Sequence, residues 1–386
     1  MRKGSLTYIA RTLKCWFLLL ILWFAPAISS DESGVASVPI IGNFPVEMVP
    51  DLRNDKTSVT VKDRNIVVVP IPMSNPTLGT GLIVGGAYFY EQSEQQKKVQ
   101  PASYTGAAGV YTNNKSYAAG IGQQNYWDSD NWRFTGVAGY ANFRLELRDP
   151  VPDNDSSLDW LVKGIFTQAS VSRRVVGDWY LGGQLQYLDI TQEIALSTSP
   201  PDRQDGAEIS SIGAGLTIEY DTRDVPTNAY RGTRFTAKAM ASKLSGDQST
   251  SYQSYFARYR YYYQTKWPIV LAADVNGCTK TGEFPLWDTC RLSLRGFPVT
   301  DYLGRSSVYA QGEARWRAYK RLGLVAFAGY GYVGESFSDA LRDTKVPSYG
   351  VGIRFLVLKS KRINMRVDYA RSDNSDAWYL AVGEAF

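Results

Sequence analysis

Residues 291–317 read RLSLRGFPVTDYLGRSSVYAQGEARWR, a polar connection that gives way at Val308 to strict two-residue alternation. From there Val308, Ala310, Gly312, Ala314 and Trp316 share one face of a strand, while Tyr309, Gln311, Glu313, Arg315 and Arg317 share the other. One face is apolar or small and the other carries charge. Two environments suit such a strand: a sheet with one face on a core and one in water, or a transmembrane barrel with lipid outside and a wet lumen inside. The strand alone does not choose between them.

The rest of the chain does. The same alternation recurs from Ile66 onward, with Ile212, Ala214, Leu216, Ile218 and Tyr220 set against Ser211, Gly213, Gly215, Thr217 and Glu219. Tyr255, Ala257, Tyr259, Tyr261 and Tyr263 oppose Arg258, Arg260, Tyr262 and Gln264, and Ile363, Met365, Val367 and Tyr369 oppose Asn364, Arg366 and Asp368. Alternating arginines on so many strands would cost a soluble core several kcal/mol each, whereas a hydrated lumen accepts them. Candidate strands fall at 66–73, 79–91, 102–113, 115–126, 131–144, 158–173, 177–193, 208–221, 231–243, 250–265, 267–276, 307–318, 322–333, 346–358, 361–371 and 376–386. Sixteen is even, so an antiparallel chain returns to the side on which it started, as a closed barrel requires.

Composition points the same way. Aromatic residues are 13% of the 386, including 26 Tyr, and there are 34 Gly. With a slightly negative mean hydropathy and no helical transmembrane run after residue 28, this suits a membrane β-barrel better than a helical membrane protein. Residues 1–30 read as a secretory signal: Arg2, Lys3, Arg11 and Lys14 precede the apolar run Cys15 to Phe24, and Ala25-Pro26-Ala27 offers a small-x-small cleavage site. Removing residues 1–27 takes away four positive charges, so 42 basic against 37 acidic residues becomes 38 against 37, and nucleic-acid binding loses its support. Residues 31–65 carry Pro39, Pro45 and Pro50 without sustained periodicity and read as a periplasmic tail or a short plug. The barrel is expected over 66–386.

Histidine is absent, which excludes Ser-His hydrolases and His-ligated zinc. No catalytic residue, metal or cofactor is expected. Cys15 would leave with the signal, and Cys278 and Cys290 remain, twelve positions apart. An even pair in an exported chain reads as a disulfide, contributing about 3 kcal/mol against unfolding, with two free thiols as the alternative.

Three motifs carry a resemblance. Leu294-Arg295-Gly296-Phe297-Pro298, followed by a strand bearing Glu313, resembles the inward-folding loop of the Omp85 superfamily, the bacterial surface antigen (D15) barrels. The resemblance implies that Arg295 at the tip of the Arg295-Gly296-Phe297 motif enters the lumen and pairs with Glu313, a task suited to a planar, bidentate guanidinium. A second acidic partner is usual in that superfamily on the next strand, but here Gly329 stands in its place. Asp221-Thr222-Arg223-Asp224-Val225-Pro226, with Gly232 beyond, resembles the superfamily's periplasmic turn, in which Asp221 and Asp224 fold onto backbone donors and Pro226 fixes φ. A final Phe386 on the lipid face resembles the signal read by the barrel-assembly machinery, with Glu384 a departure from it.

The resemblance is to the branch without POTRA domains, because residues 31–65 are too short to hold one. It implies an all-β, sixteen-stranded antiparallel transmembrane β-barrel, integral to the outer membrane of a Gram-negative bacterium. Expected partners are outer-membrane lipid, the barrel-assembly machinery for its own insertion, and client proteins or lipids whose insertion or translocation it assists. The physical route would be a seam between first and last strands, weakened by Pro70 and Pro72. The alternative is a structural surface protein or a passive pore, in which Arg258, Arg260, Arg315, Arg317, Arg354 and Arg366 make the lumen favour anions. Gly329-Tyr330-Gly331-Tyr332-Val333-Gly334 matches a dinucleotide fingerprint in letters only, and its glycines are expected to leave room for the returning loop.

Overall fold

The computed structural model describes residues 66–148, 157–196, 205–246, 249–340, 344–359, 362–373 and 375–386. The signal expected over 1–30 and the tail or plug over 31–65 lie outside the described residues. In chain order the strands are β1 (Ile66–Asn75), β2 (Gly79–Phe89), β3 (Tyr104–Thr112), β4 (Tyr117–Trp127), β5 (Trp132–Arg148), β6 (Ser157–Val176), β7 (Trp179–Leu196), β8 (Asp205–Asp221) and β9 (Gly232–Ser245). They continue as β10 (Thr250–Gln264), β11 (Ile269–Gly282), β12 (Cys290–Arg291), β13 (Leu303–Gly304), β14 (Ser306–Tyr319), β15 (Leu322–Gly334), β16 (Thr344–Leu358), β17 (Ile363–Arg371) and β18 (Asp376–Val382).

All but β12 and β13 form one closed antiparallel barrel, sixteen strands in sequential order, with β1 meeting β18. The two short strands pair with each other inside the connection from β11 to β14. Strand parity puts Ile66 and the last residues at one end, called here the terminal end, and the long connection at the other, the loop end.

Side-chain alternation sorts the barrel wall as the sequence pattern requires. On β14 Tyr309, Gln311, Glu313 and Arg315 are buried inside, while Ala310, Gly312, Ala314 and Trp316 face out. The outer face is an apolar belt in which Leu185 and Leu216 are 63% and 65% exposed. At the terminal end Trp127, Trp132, Trp179, Trp267 and Trp316 are all exposed. An apolar belt bordered by aromatic residues is what a bilayer and its interface cover.

The interior is divided. Phe143 and Leu145 on β5, Trp160 and Val162 on β6, and Leu188 and Ile190 on β7 form an apolar core that also takes in Met73 and Leu78. Charged residues gather on β10, β11 and β14 to β17. A polar lining therefore runs along one side of the bore and, on the other, returns at the terminal end of β5 to β7, where Arg133 and Arg174 bond Asp130.

The last strand stops short of its expected end. Its even-numbered residues face out, as Trp378 does, so straight continuation would project Glu384 into the apolar belt beside Phe386. Burying a carboxylate in hydrocarbon is far costlier than breaking a strand. At Gly383 the chain takes φ +94°, a conformation that suits glycine, and turns into the bore. Phe386, expected on the lipid face, is 9% exposed and packs inside with Ala229, Tyr262 and Ala272.

Leu216→Arg, which sets a cation on the apolar belt, is expected to cost of the order of 2–4 kcal/mol. Equilibrium unfolding from lipid vesicles measures it, and the same change at an inward position of β10 should cost much less.

Candidate functional site

The site is built by the 283–305 connection, which folds into the bore rather than away from it. A disulfide ties its early part to β11, joining Cys278 to Cys290 with Cα atoms 5.7 Å apart. Trp287 is fully buried in the apolar core of β5 to β7, and Asp288 pairs with Lys280 and accepts a hydrogen bond from the Tyr252 hydroxyl. Leu292 and Leu294 press on β15 where it has no side chains: a Cβ on Gly331 would lie 2.9 Å from Leu292 Cδ1, and one on Gly329 2.9 Å from Leu294 Cδ2. The glycines of the false dinucleotide motif are thus the floor on which the loop rests.

At the tip the chain is pinned from several strands at once. The Gly296 N–H donates to the Tyr379 hydroxyl at 2.9 Å, and Ser375 Oγ donates to Gly296 O at 2.7 Å. Gly296 has φ +117°, and a Cβ there would meet the Arg371 carbonyl carbon at 2.9 Å, so only glycine fits. Phe297 is buried with Tyr302 edge-on to it, their rings 4.7 Å apart. Further round the wall the Val299 N–H donates to Thr77 Oγ1 at 3.0 Å, in the turn from β1 to β2, and Thr300 Oγ1 donates to Glu146 O on β5 at 2.8 Å.

Arg295 lies over the Phe327 ring, 3.4 Å from its centroid, and spreads its two terminal nitrogens between two carboxylates. Nη2 donates to Glu313 on β14, and Nη1 donates to Asp368 on β17 at 2.9 Å. Asp368 is the partner that the sequence reading lacked. Gly329 leaves the usual neighbouring strand without an acid, and β17 supplies one two strands further round the wall.

The pairing continues into a closed ring of alternating charge. Arg315 Nε donates to Glu313 at 2.8 Å and lies 3.9 Å from Glu384. Arg354 Nε donates to Glu384 at 2.8 Å, and its Nη1 donates to Asp368, which returns to Arg295. Arg366 adds a bond to Asp368 at 3.0 Å. The inward turn at Gly383 is what brings Glu384 into this ring. Arg258 is likewise paired, bidentate to Asp274 at 2.8 and 2.9 Å, with Arg260 3.6 Å away. Of the six arginines expected to make the lumen anion-selective, five have a carboxylate partner, and the sixth, Arg317, lies over the Tyr230 ring.

The turn from β8 to β9 is far from the loop tip and braces the terminal end. Asp221 accepts the Arg223 N–H and its side chain, and Arg223 Nη1 donates to Pro226 O. Gly232 has a positive φ, and a Cβ there would fall 2.2 Å from Thr222 O. Asp224 accepts the N–H groups of Val225, Tyr230 and Arg231. It also reaches the turn between β16 and β17, where Arg362 Nη1 donates to it at 2.6 Å and stacks 4.0 Å from the Tyr230 centroid. Asn228 Nδ2 donates to Arg362 O at 3.0 Å. Nothing local in sequence links residues 138 positions apart, so Arg362 escaped the sequence reading.

Burial acts to raise the Asp224 carboxyl, but the Arg362 hydrogen bond and the two backbone donors outweigh it and hold the group below the ordinary carboxylate value. Such a group stabilises the fold above its unfolded pKa of about 3.9 and ceases to as pH falls through the folded value. The brace is complete at neutral pH and released only by acid.

A closed sixteen-stranded barrel holding an arginine-tipped loop in its bore is the fold that the Omp85 resemblance implied. Solved structures with this fold include BamA from Haemophilus ducreyi lacking POTRA domains 1-3, with a TM-score of 0.55 at 10% identity over 83% of this chain and 71% of that one. CdiB from Acinetobacter baumannii gives 0.56 and CdiB from Escherichia coli 0.53, each at 10% identity over 83% of this chain. The chain spans 60% and 63% of the length of those two proteins. By sequence, no family model matches the chain and neither does any curated protein.

Arg295→Ala removes one cation from two buried carboxylates, which keep Arg315, Arg354 and Arg366, and is expected to destabilise the barrel by about 1.5–3 kcal/mol. Thermal unfolding in detergent measures this, and Arg295→Lys should recover only part of it. At the terminal end, acidification below about pH 4 is expected to shift the Tyr230 and Arg231 amide resonances of the wild type. Those of Asp224→Asn should stay unmoved over the same range.

Proposed function

We propose that the chain is an integral outer-membrane protein of a Gram-negative bacterium that assists the insertion or translocation of protein or lipid at that membrane. The terminal end is then periplasmic and the loop end external. The observation that carries this reading is the seam. β1 and β18 share a single registered pair, Ser74 with Leu380, whereas β1 and β2 share ten and β17 and β18 seven.

The cause is legible in the residues. Continuing the register would set Pro72 opposite Val382 and Pro70 opposite Glu384. Neither proline has an N–H to offer, and the chain has already left the wall at Gly383. Among the described residues, no strand lies beside the outer edge of Ile66 to Val69. An unpaired edge at membrane depth is a template for another strand and a local disturbance to lipid. The BamA and CdiB likeness supports the coarse role, and their clients are not carried over.

The passive, anion-preferring pore is the weaker reading, because the loop crosses the bore and five of the six expected arginines are paired. The chemistry proposed here includes no catalytic step, in keeping with a sequence free of histidine.

Ser74→Cys with Leu380→Cys locks the one registered pair of the seam, so that the opening beside Ile66 to Val69 cannot spread along β1, since directly opposed strand residues have Cα atoms about 4.5–5.5 Å apart, within disulfide reach. Wild-type protein in liposomes is expected to speed insertion of an unfolded barrel substrate. The oxidised double variant should not, and reduction should restore the rate. Equal rates with the seam shut and open would refute the seam as the working part.

A further inference from the structure

The tip of the loop lies across the seam. On one side the Gly296 N–H donates to the Tyr379 hydroxyl, whose own proton goes to Phe297 O at 3.4 Å, and Gly296 O accepts from Ser375 Oγ in the turn from β17 to β18. Tyr379 stands on β18 next to Leu380, one half of the registered pair that joins β18 to β1. On the other side the Val299 N–H donates to Thr77 Oγ1, in the turn that follows Ser74, the other half of that pair. The two grips therefore bracket the one point at which the seam is paired.

Both the turn and the tip are held in shape. Asn75 Oδ1 accepts the N–H groups of Thr77 and Leu78 at 3.0 and 2.9 Å, and Leu78 is buried in the apolar core. Between the grips Pro298 fixes φ, and the Asp301 N–H donates to Pro298 O at 3.2 Å. Three residues of chain span at most about 10 Å, and neighbouring strands lie about 4.8 Å apart, so the stretch from Gly296 to Val299 crosses the seam and reaches little further.

We propose that residues 296–299 are the clasp of the seam, with Tyr379 and Thr77 as the positioning residues through which the loop tip holds β18 and β1 together. The open edge at Ile66 to Val69 then spreads along β1 only when the tip releases one of them. This rests on the seam reading above and names what controls how far that edge opens.

Spin labels at Ile121→Cys on β4 and Val351→Cys on β16, both exposed on the outer face, flank the seam. Pulsed electron paramagnetic resonance on the full chain in liposomes reads the distance between them, with Cys278 and Cys290 joined and unlabelled. The labelled wild type is expected to give one narrow distribution. Thr77→Val and Tyr379→Phe each remove a hydroxyl with little change of shape, and each should add a population longer by one strand spacing, about 4.8 Å. Thr300→Val removes the loop's bond to Glu146 on β5, away from the seam, and should leave the distribution as in wild type. A melting curve confirms that each variant is a folded barrel. An unchanged distribution in both Thr77→Val and Tyr379→Phe overturns the clasp, as does an equal change in Thr300→Val. The distance is read apart from activity: a lengthened population without faster insertion of an unfolded barrel substrate supports the clasp and counts against the proposed function. Insertion by a wild type whose Thr77 and Tyr379 variants keep its distance does the reverse.

Discussion

Arg295 sits inside a barrel wall made by strands that meet it only after the chain has closed. Its two carboxylates belong to β14 and β17, and the other partners of those carboxylates belong to β14, β16 and β17. The ring that results places each charge beside its opposite, with the side chains buried. Burying any one of these groups alone would be strongly unfavourable. Together they hold the loop, the wall and the end of the chain in a single arrangement, and loss of one member leaves its neighbours with fewer partners.

The two halves of the bore solve the same packing problem differently. Toward β5 to β7 the loop is held by apolar contact, with Trp287 set among Phe143, Trp160 and Leu188. Toward β14 to β17 it is held by charge and by glycines that let Leu292 and Leu294 approach the wall. Apolar packing tolerates small shifts, whereas bidentate ion pairs fix distance and direction. The loop is therefore anchored on one side and registered on the other. At the opposite end Asp224, Tyr230 and Arg362 tie two turns together, so the bore is spanned at both ends.

Against this the seam is the weak place in the wall. Its weakness has the same origin as the strength of the ring: Glu384 leaves the wall to reach Arg354, and the strand it leaves no longer covers β1. Proline at 70 and 72 ensures that little pairing was lost in the exchange. Stability of the lock and openness of the edge are two consequences of one turn at Gly383.

The sequence by itself determined the strand number, the inward and outward faces, and the choice of Arg295 and Glu313 as members of a buried pair. The first two follow from two-residue periodicity, which is local, and the third from the resemblance of the Leu294 to Pro298 stretch to the Omp85 loop. It did not reveal Asp368, Arg362 or the inward path of Phe386. Asp368 reads as one more polar residue on an alternating strand, and only closure of the barrel sets it across from Arg295. Arg362 reads as a turn charge until the two turns face each other. The alternation that placed β18 carried Phe386 outward by simple extension, and it failed where Glu384 would have entered the apolar belt. Only the tertiary structure could decide that residue's direction, because the arginine that draws it inward lies thirty positions away in the chain and is brought near by the barrel alone.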